Sequence, residues 1–600
     1  MKKIVFLFIC LNINFSLLAQ LFVKDNTFVF NRGTIVYSKV NLILNGSNSN
    51  FYLRNEGQFL QGTIGTSSNS GLGKLSVFQE GTVNNYAYNY WCSPVGNASA
   101  IVGNEAFGVT MLNVPTTNIS STPATITSST YNGSSNTGAL TIASYWIFKY
   151  ITNSAYSGWL HSYANTDIQA GQGFTMKGTS GSDLTNVGET VVNNPGSAQR
   201  YDFRGKPNDG DIPVSVGLDK FTLTGNPYPS ALDVSSFLLD PANTDCTGVA
   251  YYWEQDKTIN SHLLLAYQGG YGTFTPGGTG PTDYGVYVPP FFLSYNIDGT
   301  PSANPPSNSG LALERRYAPI GQGFMVKGIS SGSPTSVTIK NSHRVYYKES
   351  GVYSDFEKQT SVSSNSNQNI GINTTSHIRL NIIINNTNTR QIALTFLPNA
   401  TDGVDRGIDG LSPDSNLSND VYFSLNNERY VIEGIDFDDN KRVPLGVDAT
   451  NNATFKFSLS QVVNFNDAQE IYIYDDLDGT YHNLKLGDYE VILPTGIYNT
   501  RFQITFKNTV LSITNTIKEN VFVVQNNTKQ LLTVTNPNLM DIKSVTLFDM
   551  SGKLIFNRDN LEPKTSYEFS TASYSTGIYL VKTTFSNGQN KVQKIIISSI

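Results

Sequence analysis

Charge is scarce in this chain. Asp, Glu, Lys and Arg make up 14% of its 600 residues, against about 25% in an average soluble protein. The 40 Lys and Arg against 46 Asp and Glu leave a formal net charge of −6, and no basic cluster of the kind phosphate backbones require is present, which excludes a nucleic-acid partner. Cysteine is scarcer still, at three residues, so no disulfide scaffold holds a chain of this length and stability must come from packed sheets. The five histidines, His161, His262, His343, His377 and His482, are scattered. Neither H-E-x-x-H nor G-x-S-x-G occurs, so zinc hydrolysis and serine-elbow chemistry have no motif to rest on. A glycosidase needs only two carboxylates, which can lie far apart in sequence, and that class stays open. Beyond the N-terminus no apolar run is long enough to cross a bilayer, so the mature chain has no transmembrane segment.

What is present begins with a targeting segment. Met1, Lys2 and Lys3 form a positive start, Ile4 to Leu18 is mostly apolar, and Ala19 before Gln20 supplies a small-residue cleavage site. Residues 1–19 read as a signal peptide; an anchor is disfavoured by the short run and by Asn12 and Asn14. Cleavage leaves Cys92 and Cys246, which form either one bridge or two separate buried thiols.

Alternation of period two, rich in β-branched and aromatic residues, recurs at Tyr145 to Tyr150, Asn381 to Asn385, Glu470 to Tyr474, Phe502 to Phe506 and Leu531 to Thr535. Asp298-Gly299, Asp478-Gly479 and Asn587-Gly588 carry hairpin chemistry. The expected fold class is all-β, with several antiparallel β-sandwich domains, Ig-like or jelly-roll-like, in tandem and a small sandwich last. The segment A-G-Q-G-F-T-M-K-G at Ala170 to Gly178 returns as I-G-Q-G-F-M-V-K-G at Ile320 to Gly328. Looser matches precede both copies: Tyr90 to Val95 against Gly225 to Pro229, and Tyr145 to Lys149 against Tyr251 to Glu254. The chain therefore divides into a first β module with leading strands at 20–205, a related second module at 206–350, a Ser/Asn-rich linker at 351–376, a middle sandwich at 377–510 and a terminal domain at 520–600. The paired glycines lack the third glycine and the Lys-Ser/Thr of phosphate loops. They read as turns that need positive φ or close approach.

Two regions are candidates for binding. The stretch between Leu263 and Gly310 is rich in Gly, Pro and rings, and Tyr271, Tyr284 and Tyr287 there either stack on sugars or fold back as a cover. The loop D-G-V-D-R-G-I-D-G places Asp402, Asp405 and Asp409 together. Three carboxylates with backbone carbonyls could hold calcium, or the aspartates accept backbone N–H groups in Asx turns and Arg406 pairs with one of them.

The C-terminus is the most specific part. It reads V-T-L-F-D-M-S-G-K-L-I at Val545 to Ile555, T-G-I-Y-L-V-K at Thr576 to Lys582 and N-G-Q-N-K-V-Q-K-I-I-I at Asn587 to Ile597. In this order these segments resemble the type A C-terminal sorting domain of type IX secretion substrates of Bacteroidota. The resemblance implies export through the signal peptide and periplasm, then recognition of this domain by the type IX secretion machinery at the outer membrane, with the product secreted or displayed on the cell surface. By the match, Gly577, Tyr579, Val581, Gly588, Lys591 and Lys594 would carry the sorting signal. The middle domain looks like the sandwich that often precedes such a domain, and the repeated Q-G-F-x-x-K-G segments look like passengers of large surface proteins of that phylum. The expected function is an adhesin or a glycan- or surface-binding passenger. A carbohydrate-active hydrolase with a carboxylate pair and a self-assembling structural surface protein are the alternatives.

Overall fold

The computed structural model describes residues 20–349, 354, 374–508 and 521–598, apart from positions 166, 190, 281, 303, 305, 307, 308, 415, 416, 587 and 589. The expected signal peptide and most of the expected linker lie outside the described residues. The fold is all-β, and residues 1–507 and 508–600 form two compact units.

The first unit opens with a parallel coil. Leu21–Val23 stacks on Leu42–Leu44, Phe28–Arg32 on Asn50–Arg54, and Ile35–Ser38 on Gln58–Gln61. Lys74–Glu80 then adds a further parallel rung to Asn50–Arg54. Corners fall at Asn26, Gly33, Gly46 and Asn55, all with positive φ, which are the residue types that tolerate a left-handed backbone. Val23, Leu42, Leu44, Phe51, Leu53, Phe59, Leu75 and Val77 fill the interior. On the opposite side of these strands, also buried, the Arg54 guanidinium lies 3.5 Å from the Phe78 ring centroid and 5.2 Å from that of Tyr52. Alternation along a strand does not distinguish parallel from antiparallel partners, so the coil is a feature that residues 20–74 disclose only when folded.

The internal repeat folds as two matching four-stranded sets. In the first, the order is Trp159–His161, Phe148–Tyr150, Gly173–Lys177, Tyr88–Cys92. In the second, the same places are taken by Gln268–Thr275, Cys246–Gln255, Gly323–Gly328 and Phe221–Gly225. The registers agree as well: Gly173 pairs with Cys92 as Gly323 pairs with Gly225, and Lys177 with Tyr88 as Lys327 with Phe221. The expected strand from Tyr145 is delayed, because Ser144–Trp146 forms a 3-10 turn before Phe148–Tyr150.

The Gly-Gln-Gly turns hold the two sets together. Gly171 and Gly321 have φ of 81° and 82°, which strongly favours glycine. Gly173 and Gly323 serve closeness: a Cβ on Gly173 would lie 2.6 Å from the Thr224 carbonyl oxygen, and one on Gly323 2.6 Å from the Tyr90 carbonyl carbon. Each copy thus presses its turn against the partner strand of the other. The bonds Cys92 N–H to Gly321 O, 2.8 Å, and Thr224 Oγ1 to Gly171 O, 2.7 Å, tie the contact in both directions.

This arrangement corrects the possible Cys92–Cys246 bridge, since both are buried free thiols. Cys92 lies beside Gly225, which pairs with Gly323, whereas Cys246 pairs with Gly328. Five residues of strand separate those positions, roughly 16 Å at about 3.3 Å per residue, and a disulfide needs Cα atoms within about 7 Å.

Residues 377–505 form an eleven-stranded sheet that wraps its own core of Ile378, Leu380, Ile392, Val421, Phe455, Phe502 and their neighbours. Phe291 and Leu293, from the aromatic stretch of the second module, are part of that core. The second unit packs a three-stranded sheet, Phe522–Asn526, Leu531–Thr535 and Ser566–Ser570, with a four-stranded one, Leu554–Asp559, Ile542–Asp549, Gly577–Phe585 and Asn590–Ile597. Val523, Leu532, Val534, Val545, Leu547, Val581 and Ile595 share its core. Its Asp549 side chain accepts from the N–H groups of Ser551 and Lys553 at 2.9 and 3.0 Å, closing the turn at Gly552.

Candidate functional site

Where the two matching sets meet, the chain leaves a cavity of about 570 Å³, within the range of small-ligand sites. Eleven of its twenty-two lining residues are aromatic, seven tyrosines, two tryptophans and two phenylalanines. Both copies build it: Tyr88, Tyr90, Tyr150 and Trp159 come from the first, Phe221, Trp253, Tyr271 and Met325 from the second. Strand alternation explains the placement. Thr175 in the lining faces Tyr90 across the pairing and Lys177 faces Tyr88, so positions two apart share one face.

The walls are fixed by their own hydrogen bonds. The Tyr90 and Tyr271 hydroxyls lie 2.7 Å apart, Tyr150 donates to the Ala155 carbonyl at 3.0 Å, and Tyr295 donates to the Gly269 carbonyl at 2.9 Å. Thr175 Oγ1 donates to the Trp146 carbonyl at 2.9 Å. Burial holds the Tyr90 and Tyr295 phenols well above their usual range and Tyr150 at about 12, so these hydroxyls keep their protons. The Trp253 indole N–H has no partner among the described residues. Asp414 is the carboxylate in the lining. Its Oδ2 is held by Arg390 at 2.9 Å, and burial pushes the group upward while Arg390 opposes that shift.

Behind one wall lies a caged lysine. Lys177 Nζ is 3.7 Å from the Trp146 ring centroid, 4.8 Å from that of Tyr267 and 4.9 Å from that of Tyr88. It donates to the Tyr267 hydroxyl and to His262 Nδ1, the latter at 3.0 Å. That geometry requires a neutral His262, which burial and the Lys177 charge hold down to about 4. Burial also draws Lys177 down to about 6, while three ring faces favour its charged form. The matching Lys327 instead pairs with Asp219 at 2.6 Å. Where the second copy uses a carboxylate, the first surrounds its lysine with its own Tyr88 and Trp146 and with Tyr267 of the second module.

Of the three tyrosines expected to meet a ligand, Tyr271 lines the cavity and the other two do not. Tyr284 is buried against Tyr317, and Tyr287 is buried with its hydroxyl donating to Glu254 Oε1. They read as a ligand loop because rings cluster there; folded, they pack inside the second module, and the neighbouring Val286 and Val288 meet Ala393, Val431 and Ile432 of the middle sandwich. Tyr156, Trp159, Trp253 and Tyr295 were not singled out from sequence. Trp253 lies in the Tyr251 to Glu254 segment that precedes the second repeat copy and Tyr295 in the ring-rich stretch from Leu263 to Gly310, whereas Tyr156 and Trp159 lie in neither.

The acidic loop is also corrected. Asp402 reaches out to Lys441, Asp405 Oδ2 accepts from Thr401 N–H at 2.5 Å, and Asp409 accepts from the Asp405 and Gly434 N–H groups at 2.5 and 2.8 Å. The three carboxylates are turned to different partners and do not converge as a calcium site; among the described residues no three His, Cys, Asp or Glu do. Burial raises Asp409 to about 7 and the adjacent Glu433 to about 8. Arg406 pairs with none of the aspartates. It clasps the second module, with Nε donating to the Cys246 carbonyl at 2.8 Å and Nη2 to the Leu238 carbonyl at 2.6 Å.

The expected sorting residues all lie in the second unit. Gly577 pairs with Ile597, Tyr579 is buried with its hydroxyl on the Ser575 carbonyl at 2.8 Å, and Val581 is in the core. Gly588 has φ of 85°. Lys591 Nζ donates to the Val521 carbonyl at 2.6 Å, and Lys594 is exposed.

Comparisons with known proteins follow the two-unit division. A family model described as a domain of unknown function, DUF8693, matches residues 17–506, and a second, DUF8694, matches residues 511–597. No curated protein matches. Among solved structures, a DUF3244 family protein with an immunoglobulin-like β-sandwich from Bacteroides vulgatus is 18% identical over 13% of this chain and 82% of its own, with a TM-score of 0.12. Dimeric latent PorU from Porphyromonas gingivalis is 12% identical over 38% of this chain and 30% of its own, with a TM-score of 0.14. The BSP domain of a biofilm associated protein is 11% identical over 65% and 64%, also with a TM-score of 0.14. With its repeat, middle sandwich and aromatic cavity all inside the first matched region, this chain belongs to the DUF8693 family.

Proposed function

We propose that this chain is an exported surface protein whose residues 20–507 bind a saccharide-bearing ligand of a neighbouring surface, and whose residues 521–598 are the address read by type IX secretion. The observation that carries the binding reading is the preformed cavity with eleven rings. Ring faces offer broad apolar contact to a sugar face at low entropic cost, and walls already pinned by hydrogen bonds need no reordering on binding. Tyr156, half exposed at 49%, and the neighbouring exposed Ser154 and Ser157 put a ring and hydroxyls at the mouth. One carboxylate, Asp414, lines the cavity, and a glycosidase would need two, so binding is favoured over hydrolysis there. The export reading rests on the ordered motifs between Val545 and Ile597.

Glycan-array screening of the secreted protein tests the first part: a reproducible hit that Trp159→Ala weakens by tenfold or more is expected. Hits that persist unchanged in both Trp159→Ala and Tyr156→Ala would refute the cavity as the site. For export, deletion of residues 521–600 should strand the passenger in the periplasm, and normal surface display of the truncated chain would refute the address.

A further inference from the structure

The cavity differs sharply between floor and rim. At the floor, Tyr90, Tyr150, Met325 and Leu293 are almost wholly buried, and the hydroxyls of Tyr90 and Tyr150 are occupied by Tyr271 and the Ala155 carbonyl. Asp414, already held by Arg390, and the Trp253 N–H are the polar groups left there, and no Lys, Arg, His, Asn, Gln or Glu is among the lining residues. A sugar carries several hydroxyls, each needing a partner once out of water, and a buried hydroxyl left unpaired costs more than its ring contact returns. A free saccharide therefore does not suit the floor.

The rim is the reverse. Ser154, Tyr156 and Ser157 are exposed there, and hydroxyls of a ligand can bond to them or to water. Gly299 of the lining packs on the Tyr156 ring, and Leu263, Leu265 and Ile297, close in sequence to the lining residues Leu264 and Gly299, are exposed.

The geometry points to an amphipathic glycoconjugate as the ligand: an alkyl or aryl group fills the ring-lined floor, and the sugar it bears stays at the rim. This rests on the reading of the cavity as the ligand site and narrows it to a class. The shared chemistry is a hydrophobic aglycone joined to a sugar, supplied either by a glycolipid or by an aromatic glycoside.

Titration of the full secreted chain, followed by tryptophan emission, separates the cases. The probes are methyl, octyl and phenyl β-glucoside, all kept below micellar concentrations. Octyl or phenyl glucoside is expected to bind at least tenfold more tightly than methyl glucoside; octyl alone points to a lipid source and phenyl alone to an aromatic one. Tyr156→Ala, at the exposed rim, should weaken the better probe several-fold while leaving the melting temperature close to that of the parent, and Trp159→Ala, which removes a ring packed on Tyr90 and Tyr150, should weaken it at least as much while lowering the melting temperature. Equal affinity for all three glucosides overturns the inference and leaves saccharide binding standing. Tight octyl or phenyl binding that neither variant weakens also overturns it, because the site then lies elsewhere. No binding of any glucoside, together with a blank glycan array, overturns both readings.

Discussion

Gly323 is the sharpest test of how the two repeat copies are joined. Alanine there would place a Cβ 2.6 Å from the Tyr90 carbonyl carbon, 2.7 Å from Trp91 N and 2.9 Å from the Tyr90 carbonyl oxygen. All three are backbone atoms, so no side chain can swing away, and relief requires the two strands to part by roughly 1 Å. Overpacking a tight core costs about 1–3 kcal/mol, and the backbone character of the contact puts Gly323→Ala near the top, about 3 kcal/mol. The control is Gly138→Ala, where φ is 69° and nothing lies within 4 Å; left-handed strain alone costs about 1 kcal/mol. All four tryptophans, Trp91, Trp146, Trp159 and Trp253, lie in the repeat region, so urea unfolding of the whole protein followed by tryptophan emission reports on this region alone. Gly323→Ala unfolding within about 0.5 kcal/mol of the parent, or no more destabilised than Gly138→Ala, would refute the close-approach argument.

Arg406→Met should destabilise residues 20–507 by about 3 kcal/mol, since it leaves the Leu238 and Cys246 carbonyls without their charged donor; urea midpoints check it, with Asp402→Asn, at an exposed position, as the near-neutral control. Glu433 and Asp409 have folded-state values raised to about 8 and about 7. Their stabilising protonation is complete below the ordinary carboxyl range near 4 and is lost as pH rises through 7 to 8. These two groups therefore pull stability down between about pH 4.5 and pH 8, against the opposite pull of the buried His262 and Lys177, and Glu433→Gln should remove about 2 kcal/mol of the downward pull, read as the difference from the parent in urea titrations at the two pH values. Burial raises the Cys246 thiol and both cysteines are free. A thiol reagent should accordingly find none in the native protein from residue 20 onward, and two in denaturant without reductant.

Several features were legible in the residues because their causes are local. Alternation at Asn381 to Asn385 and Leu531 to Thr535 became strands, and Asp478-Gly479 became the hairpin joining Tyr472–Asp475 to Thr480–Asn483, because side-chain period and turn chemistry act over a few residues. The glycines of the repeat were readable as positive φ or close approach, and both occur, at Gly171 and Gly321 and at Gly173 and Gly323. What stayed hidden depends on contacts between distant segments. Asp402, Asp405 and Asp409 are neighbours in sequence, yet whether carboxylates converge depends on which backbone N–H groups reach them first, and Gly434 lies 25 residues away. Tyr271, Tyr284 and Tyr287 are alike in composition; the meeting of the two repeat copies puts the first at a cavity, and packing within the second module puts the other two in buried clusters. The sequence by itself determined the all-β class, the punctuation of strands and the existence of two related modules, since each is encoded by short-range pattern. Only the tertiary structure decided that the leading strands coil in parallel, that the cysteines stand apart and that the two copies close an aromatic cavity between them, because each is a meeting of residues 70 or more positions apart or a choice of strand partner that alternation leaves open.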